Sequence, residues 1–81
     1  MLLTVKVFAA AKQAVGASEV KVDVPADCDV AQLKDALCEK FPELETMLKR
    51  SSFAIDHRYA RDDLKLSSEN EIAFIPPVSG G

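Results

Sequence analysis

The chain has 81 residues, of which 48% are hydrophobic and 28% are charged, and its formal net charge is −3. This length suits one small domain with a single core, and the interspersed charges argue against intrinsic disorder. Lysine and arginine form no cluster beyond Lys49-Arg50, which argues against nucleic acid as a partner. No apolar run approaches the length of a membrane span, and the alternating start lacks the charged region of a signal peptide. We therefore expect a cytoplasmic protein that does not bind a membrane.

The first part of the chain predicts two strands separated by a short helix. Residues 2–8 alternate between apolar and polar side chains, as a strand with one buried face does. Residues 9–15 predict a short helix that ends at Gly16, because glycine readily adopts the left-handed conformation of a helix stop. Residues 19–24 alternate again, with three valines on one side, and predict the second strand.

The middle of the chain predicts the main helix. Asp29 is a favourable N-cap, and Gln32 three residues later completes an approximate capping box. Apolar residues at helical spacing then continue as far as Phe41, where Pro42 ends the helix. A second short helix is predicted over residues 43–50.

The last part predicts two further strands. Residues 52–56 form the first of these, and the polar segment 57–63 reads as a turn, with Leu64 and Leu66 in a minor strand or a single turn. Residues 71–75 are apolar on both faces, which predicts a central, covered strand. This order of elements indicates an α+β, ubiquitin-like β-grasp domain over residues 1–75, with a mixed sheet packed on one main helix.

Residues 76–81 predict a separate, flexible tail with the sequence Pro76-Pro77-Val78-Ser79-Gly80-Gly81. Prolines lack the N–H group that a sheet requires, and terminal glycines accept almost any backbone conformation. Six extended residues reach on the order of 20 Å, so the tail can present the α-carboxylate of Gly81 to a narrow channel in another protein. We therefore take the Gly81 carboxylate as the candidate reacting group. The alternative is a terminus without a function.

The other reactive side chains indicate no second site. Cys28 and Cys38 flank about 15 Å of predicted helix, which is too far for an internal disulfide. They belong to no Cys-x-x-C motif and no cysteine–histidine ligand set. His57 is the only histidine and has no matching partner for a metal site or a catalytic triad. We expect no metal and no cofactor to be bound by this chain.

With these motifs in place, the chain resembles the small subunits of molybdopterin synthase, a family of ubiquitin-like sulfur carriers. The similarity is strongest over residues 70–81, which read Asn-Glu-Ile-Ala-Phe-Ile-Pro-Pro-Val-Ser-Gly-Gly, and it continues in Phe8-Ala9, Lys12 and Gly16. The Pro-Pro pair separates this family from the thiamine-pathway sulfur carriers, which share the Gly-Gly end.

The chain departs from the family pattern at three places. Lys12-Gln13 stands where Arg-Glu is usual, Asp56 where asparagine is common, and Glu69 where glycine is frequent. Lysine keeps the charge of arginine but not its bidentate fork. Because none of these positions lies in the tail, the departures concern partner docking more than the chemistry of Gly81.

The resemblance implies a defined chemistry. A molybdopterin-synthase adenylyltransferase would use ATP and magnesium to adenylate Gly81, and a sulfur donor would convert the adenylate to a thiocarboxylate. The tail residues Pro76, Pro77, Val78, Ser79 and Gly80 would then insert into the large catalytic subunit, where sulfur passes to cyclic pyranopterin monophosphate. The family further implies a heterotetramer with that large subunit. This chain would act as its non-catalytic, sulfur-donating subunit and would have no enzyme activity alone.

The docking surface that the resemblance implies lies near the tail, with five candidate contact residues: Phe8, Lys12, Tyr59, Phe74 and Ile75. The alternative for each aromatic residue is a place in the core, and for the lysine a solvated surface position. Three other functions stay open from the sequence. They are a sulfur carrier for thiamine synthesis or tRNA thiolation, a protein modifier that forms an isopeptide through Gly81, and a β-grasp interaction module with an inert tail.

Overall fold

The fold is organised by a mixed sheet of five strands within residues 1–75, the part of the chain that this computed structural model describes. The strands are β1 (Leu2–Lys6), β2 (Glu19–Asp23), β3 (Ser52–Ile55), β4 (Arg58–Tyr59) and β5 (Ile72–Ile75). Their order across the sheet is β2-β1-β5-β3-β4. β1 and β5 run parallel, and the other neighbours run antiparallel. The predicted tail over 76–81 lies outside the described residues.

The helices pack against one face of this sheet. They are α1 (Ala9–Val15), α2 (Val30–Lys40) and α3 (Glu45–Arg50), with a 3₁₀ turn at Pro42–Leu44 before α3. Alternate residues of β1, β2 and β3 are buried, and they form one core cluster with the buried residues of the helices. The opposite face of the sheet, which we call the open face, carries the remaining side chains of each strand.

Two local signals in the sequence set the ends of the helices as predicted. Gly16 follows α1 with φ +74° in the left-handed region, and its N–H donates to the carbonyl of Lys12 at 2.9 Å. At the start of α2, the Asp29 side chain accepts from the Gln32 backbone N–H, and the Gln32 side chain accepts from the Asp29 N–H, both at 2.9 Å. The predicted capping box is therefore confirmed.

The prediction of a turn-like segment over 57–63 is only partly right, because the segment contains strand β4. Asp56 and His57 have φ values of +52° and +70° and form a two-residue connection between β3 and β4. Tight hairpin turns with two positive φ values usually use asparagine and glycine, so Asp-His gives little hairpin signal. The Ala60 N–H extends the pairing by donating to the Phe53 carbonyl at 2.9 Å.

Strand β5 lies at the centre of the sheet, between β1 and β3, as predicted. It is covered on one face only, which corrects the expectation of a strand covered on both. Ile72 and Phe74 are buried, whereas Ala73 and Ile75 are half-buried on the open face. The apolar residues of β5 therefore divide between the core and the surface.

Phe74 is fully buried, with 0% of its surface exposed. Its ring packs edge-to-face on Phe53 across the β3–β5 pair, with centroids 5.4 Å apart. The prediction that Phe74 contacts a partner is wrong, because strand alternation turns its side chain toward the helices.

Within residues 1–75, no helix combines the length and the hydropathy that a membrane span needs.

We expect Phe74→Ala to lower the free energy of unfolding by about 3–5 kcal/mol, the usual cost of removing a buried phenylalanine ring. Urea denaturation of the purified chain measures this loss. Phe8→Ala is the matched control, because it removes the same ring from an exposed position and should cost much less. Equal losses from the two substitutions would contradict the assignment of Phe74 to the core.

Candidate functional site

The open face carries a row of side chains that crosses four strands. Strand register places Lys6 beside Ala73, Ala73 beside Ala54, and Ala54 beside Tyr59. Because the two alanine side chains are short, the middle of the row is a depression between Lys6 on β1 and Tyr59 on the edge strand β4. This row forms the floor of the surface that the sequence proposed for docking.

Large apolar side chains stand around this row. Phe8 continues β1 in extended conformation and is 47% exposed, whereas Tyr59 is 77% exposed. Ile75 ends β5 on the same face and directly precedes the tail segment. Three predicted contact residues therefore share the open face, although their contact with a partner stays a prediction. Exposed aromatic and aliphatic side chains of this kind commonly anchor protein interfaces.

Lys12 lies on α1, one turn after Phe8, and is exposed. The Phe8 carbonyl accepts hydrogen bonds from the Ala11 and Lys12 backbone N–H groups at 3.1 and 3.2 Å, which fixes α1 against the end of β1. No ion pair of Lys12 occurs among residues 1–75. Lys12 is therefore an exposed cation that lies close in the chain to Phe8.

An ion cluster that the sequence analysis missed borders the open face. Glu71 Oε1 accepts from Lys6 Nζ at 2.9 Å, and its Oε2 lies 2.6 Å from His57 Nε2. The hydrogen bond with Lys6 lowers the pKa of Glu71 and raises that of Lys6, and nearby His57 lowers the Glu71 pKa further. The opposite charges of Lys6 and Glu71 could have predicted this ion pair, but only if β1 and β5 were already known to be neighbours in the sheet.

Asp56 connects the β3–β4 turn to the segment before β5. Its Oδ1 accepts from the Glu71 backbone N–H and its Oδ2 from Asn70 Nδ2, both at 2.8 Å. These two hydrogen bonds lower the pKa of Asp56, the backbone bond more than the side-chain bond. Asp56, which stands where asparagine is common in the family, therefore holds the Glu71 backbone in place. The Glu71 side chain in turn contacts His57 and Lys6.

The described residues offer little for metal or thiol chemistry. No group of three or more histidine, cysteine, aspartate or glutamate side chains within 1–75 is placed to hold a metal ion. Cys28 is buried, and desolvation raises the pKa of its thiol, which disfavours the nucleophilic thiolate. Cys38 is half-buried on α2. Gly81 and the tail residues Pro76–Gly80 lie beyond the part of the chain described here.

Comparison with known proteins identifies the family. The sequence model of the ThiS family matches residues 5–81. The molybdopterin synthase sulfur carrier subunit of Caenorhabditis briggsae is 40% identical over 84 residues, covering 99% of this chain and 100% of the relative. Those matches run over nearly the whole sequence, so the chain belongs to the ThiS family.

Solved structures agree with this fold. Small archaeal modifier protein 1 of H. volcanii superposes with a TM-score of 0.84 at 26% identity, covering 95% of this chain and 98% of that one. A complex of subunits 1 and 2 of the molybdopterin-converting factor from Helicobacter pylori contains a chain with a TM-score of 0.69 and 21% identity over both full lengths. The predicted α+β, ubiquitin-like β-grasp fold is confirmed.

We expect the stability of the domain to fall at acidic pH through Asp56. Its pKa is lowered by folding, so its contribution is present above the ordinary value of 3.8 and is lost as pH falls through the folded value. Asp56→Asn should flatten this part of the profile, because asparagine does not ionise but tolerates the left-handed backbone. Urea denaturation of both chains across the acidic range measures the slopes.

The comparison between the two chains isolates Asp56, because Glu71 titrates with the same sign and is present in both. Identical slopes for the parent chain and Asp56→Asn would contradict the role of the Asp56 carboxylate. Lys34→Gln is a suitable control, since it removes an exposed ion pair with Asp62 that lies elsewhere. It should leave the acidic slope close to that of the parent chain.

Proposed function

We propose that this member of the ThiS family is the sulfur carrier subunit of molybdopterin synthase, with Gly81 as the group that carries sulfur. The observation that supports this most directly is the full-length match to a sulfur carrier subunit at 40% identity. The arrangement of the open face adds to it. The exposed side chains of Phe8 and Tyr59 share this face with Ile75, after which the Pro-Pro-Val-Ser-Gly-Gly segment begins.

The chemistry of Gly81 needs an activating partner, because a carboxylate repels nucleophiles. In our proposal an adenylyltransferase, using ATP and magnesium, joins the Gly81 carboxylate to AMP and releases pyrophosphate. A sulfur donor then attacks the acyl carbon, and AMP leaves. The resulting thiocarboxylate is the group that passes sulfur to cyclic pyranopterin monophosphate. In this proposal the partners supply the acid, the base and the metal for these steps, so activity belongs to the complex.

The tail sequence suits this task. Gly80 and Gly81 lack side chains that would block the reacting carbonyl. Pro76 and Pro77 restrict the free chain, so less conformational entropy is lost when the tail is ordered inside a partner. Val78 and Ser79 connect these two parts and would line the entry to the partner site. All six residues are thus assigned to insertion or chemistry by their intrinsic properties.

The large synthase subunit is the partner that we propose for the open face, in a heterotetramer with two copies of each chain. The H. pylori relative forms a complex of subunits 1 and 2, which supports a partner of this kind. Phe8, Tyr59 and Ile75 would anchor the interface, and Lys12 would meet an acidic group at its margin. Docking on this face would place Ile75, which directly precedes the tail segment, at the interface.

A protein modifier is the second candidate function, because small archaeal modifier protein 1 shares the fold at 26% identity. A modifier would use the same acyl-adenylate but would transfer Gly81 to a lysine amine. The two functions therefore differ in the nucleophile that follows activation. Isopeptide-linked conjugates of this chain would favour the modifier, whereas a free thiocarboxylate that is consumed by the synthase favours the carrier.

We expect the purified chain to gain one sulfur in place of one oxygen when it is incubated with the adenylyltransferase, ATP, magnesium and sulfide. Intact mass spectrometry detects the exchange, and fragmentation should locate it on Gly81. A chain that lacks Gly81 is the control and should not support molybdopterin formation. An unchanged mass, with an adenylyltransferase that is active on its own carrier, would argue against the proposal.

We also expect Phe8→Ala and Tyr59→Ala each to raise the Kd for the large subunit about tenfold or more, as truncation of a buried aromatic anchor does. Thr46→Ala is the control, since Thr46 is exposed on α3, a helix on the opposite face of the sheet. Its Kd should stay close to that of the parent chain. Calorimetry with the purified large subunit measures all three. An equal effect of all three substitutions would contradict docking through the open face.

A further inference from the structure

A small cavity lies in the middle of the open face, with a volume of about 150 Å³. Six residues from three segments of the chain line it: Lys6, Phe8, Ala54, His57, Glu71 and Ala73. We propose that this cavity receives one neutral apolar side chain, of leucine to phenylalanine size, from the large synthase subunit. The inference rests on the proposed function and adds to it the chemistry of the residue that the partner contributes.

The floor of the cavity consists of two neighbouring alanines. Ala73 on β5 and Ala54 on β3 are directly paired in the sheet, and both are half-buried. Strand positions usually favour larger β-branched or aromatic side chains, and either would fill the depression. Two methyl groups at the centre of the sheet therefore leave an apolar recess that is open to a partner.

The walls of the cavity select against a charged occupant. Phe8 forms one wall with an exposed ring, and Lys6, Glu71 and His57 form the other. Both carboxylate oxygens of Glu71 are already engaged, by Lys6 at 2.9 Å and by His57 at 2.6 Å. An incoming cation would have to displace one of these partners, and an incoming carboxylate would have to compete with Glu71 for Lys6 and His57 while lying beside the Glu71 carboxylate. A neutral side chain leaves the ion cluster intact.

The size and position of the cavity suit an interface anchor. An apolar cavity of about 150 Å³ accommodates a molecule of benzene size, which corresponds to one leucine, methionine or phenylalanine side chain. Such anchors concentrate binding energy when they fill a pocket near the centre of an interface and the surrounding contacts exclude water. Here Phe8 borders the cavity, and Tyr59 closes the same cross-strand row through Ala54.

The test is to fill the cavity by replacing the alanines of its floor with larger side chains. Ala73→Leu and Ala54→Leu should each raise the Kd for the large subunit at least tenfold, and Ala73→Val should have a smaller effect of the same sign. Thr4→Leu is the matched control, because it adds the same bulk to an exposed position of β1 that lies outside the cavity lining. Its Kd should remain within about twofold of the parent value.

Two further measurements make each outcome decisive. Urea denaturation establishes that each variant is folded, and the rate of Gly81 thiocarboxylation by the adenylyltransferase reports on the other proposed partner. Folded variants with an unchanged Kd would overturn the inference while leaving the proposed function in place. Loss of thiocarboxylation with an unchanged Kd would assign the cavity to the adenylyltransferase and also overturn it. Failure of the parent chain to bind the large subunit would contradict both the proposed function and this inference.

Discussion

The pairing of β5 between β1 and β3 is the interaction on which the rest of the structure depends. It brings a segment from the end of the described chain into contact with the first strand and with the β3–β4 hairpin. Because side chains alternate along a strand, this one placement sends Ile72 and Phe74 into the core and Ala73 and Ile75 to the open face. The same four residues thus hold the fold together and build the surface that precedes the tail.

The ion cluster and the Asp56 hydrogen bonds follow from that pairing. Lys6 and Glu71 are 65 positions apart in the chain, and they meet because β1 and β5 are parallel neighbours. Asp56 then ties the tip of the hairpin to the Asn70–Glu71 backbone. Each contact is exposed and individually weak. Together they set the position of three polar side chains, Lys6, His57 and Glu71, around the recess between Phe8 and the two alanines.

Local features of this fold could be predicted from the sequence, whereas the relations between distant segments could not. Gly16 and the Asp29–Gln32 capping box act within one helical turn, so their residue types are sufficient to place the ends of α1 and α2. Strand β4 was missed because the Asp-His turn lacks the usual glycine. Phe74 was misassigned because a strand that is apolar at every position does not reveal which alternate set faces the helices.

The fold by itself does not decide what Gly81 does. A sulfur carrier subunit and an archaeal modifier both resemble this chain, the first in sequence and the second in structure, and a shared fold commonly supports different functions. Under the proposed chemistry, the two would differ in the nucleophile that attacks the activated carboxyl group, a sulfur donor or a lysine amine. In our proposal, that choice would depend on the surface that a partner contacts before the tail enters it. The open face, with its exposed aromatics and its alanine-floored recess, is therefore where specificity between the two functions would be determined.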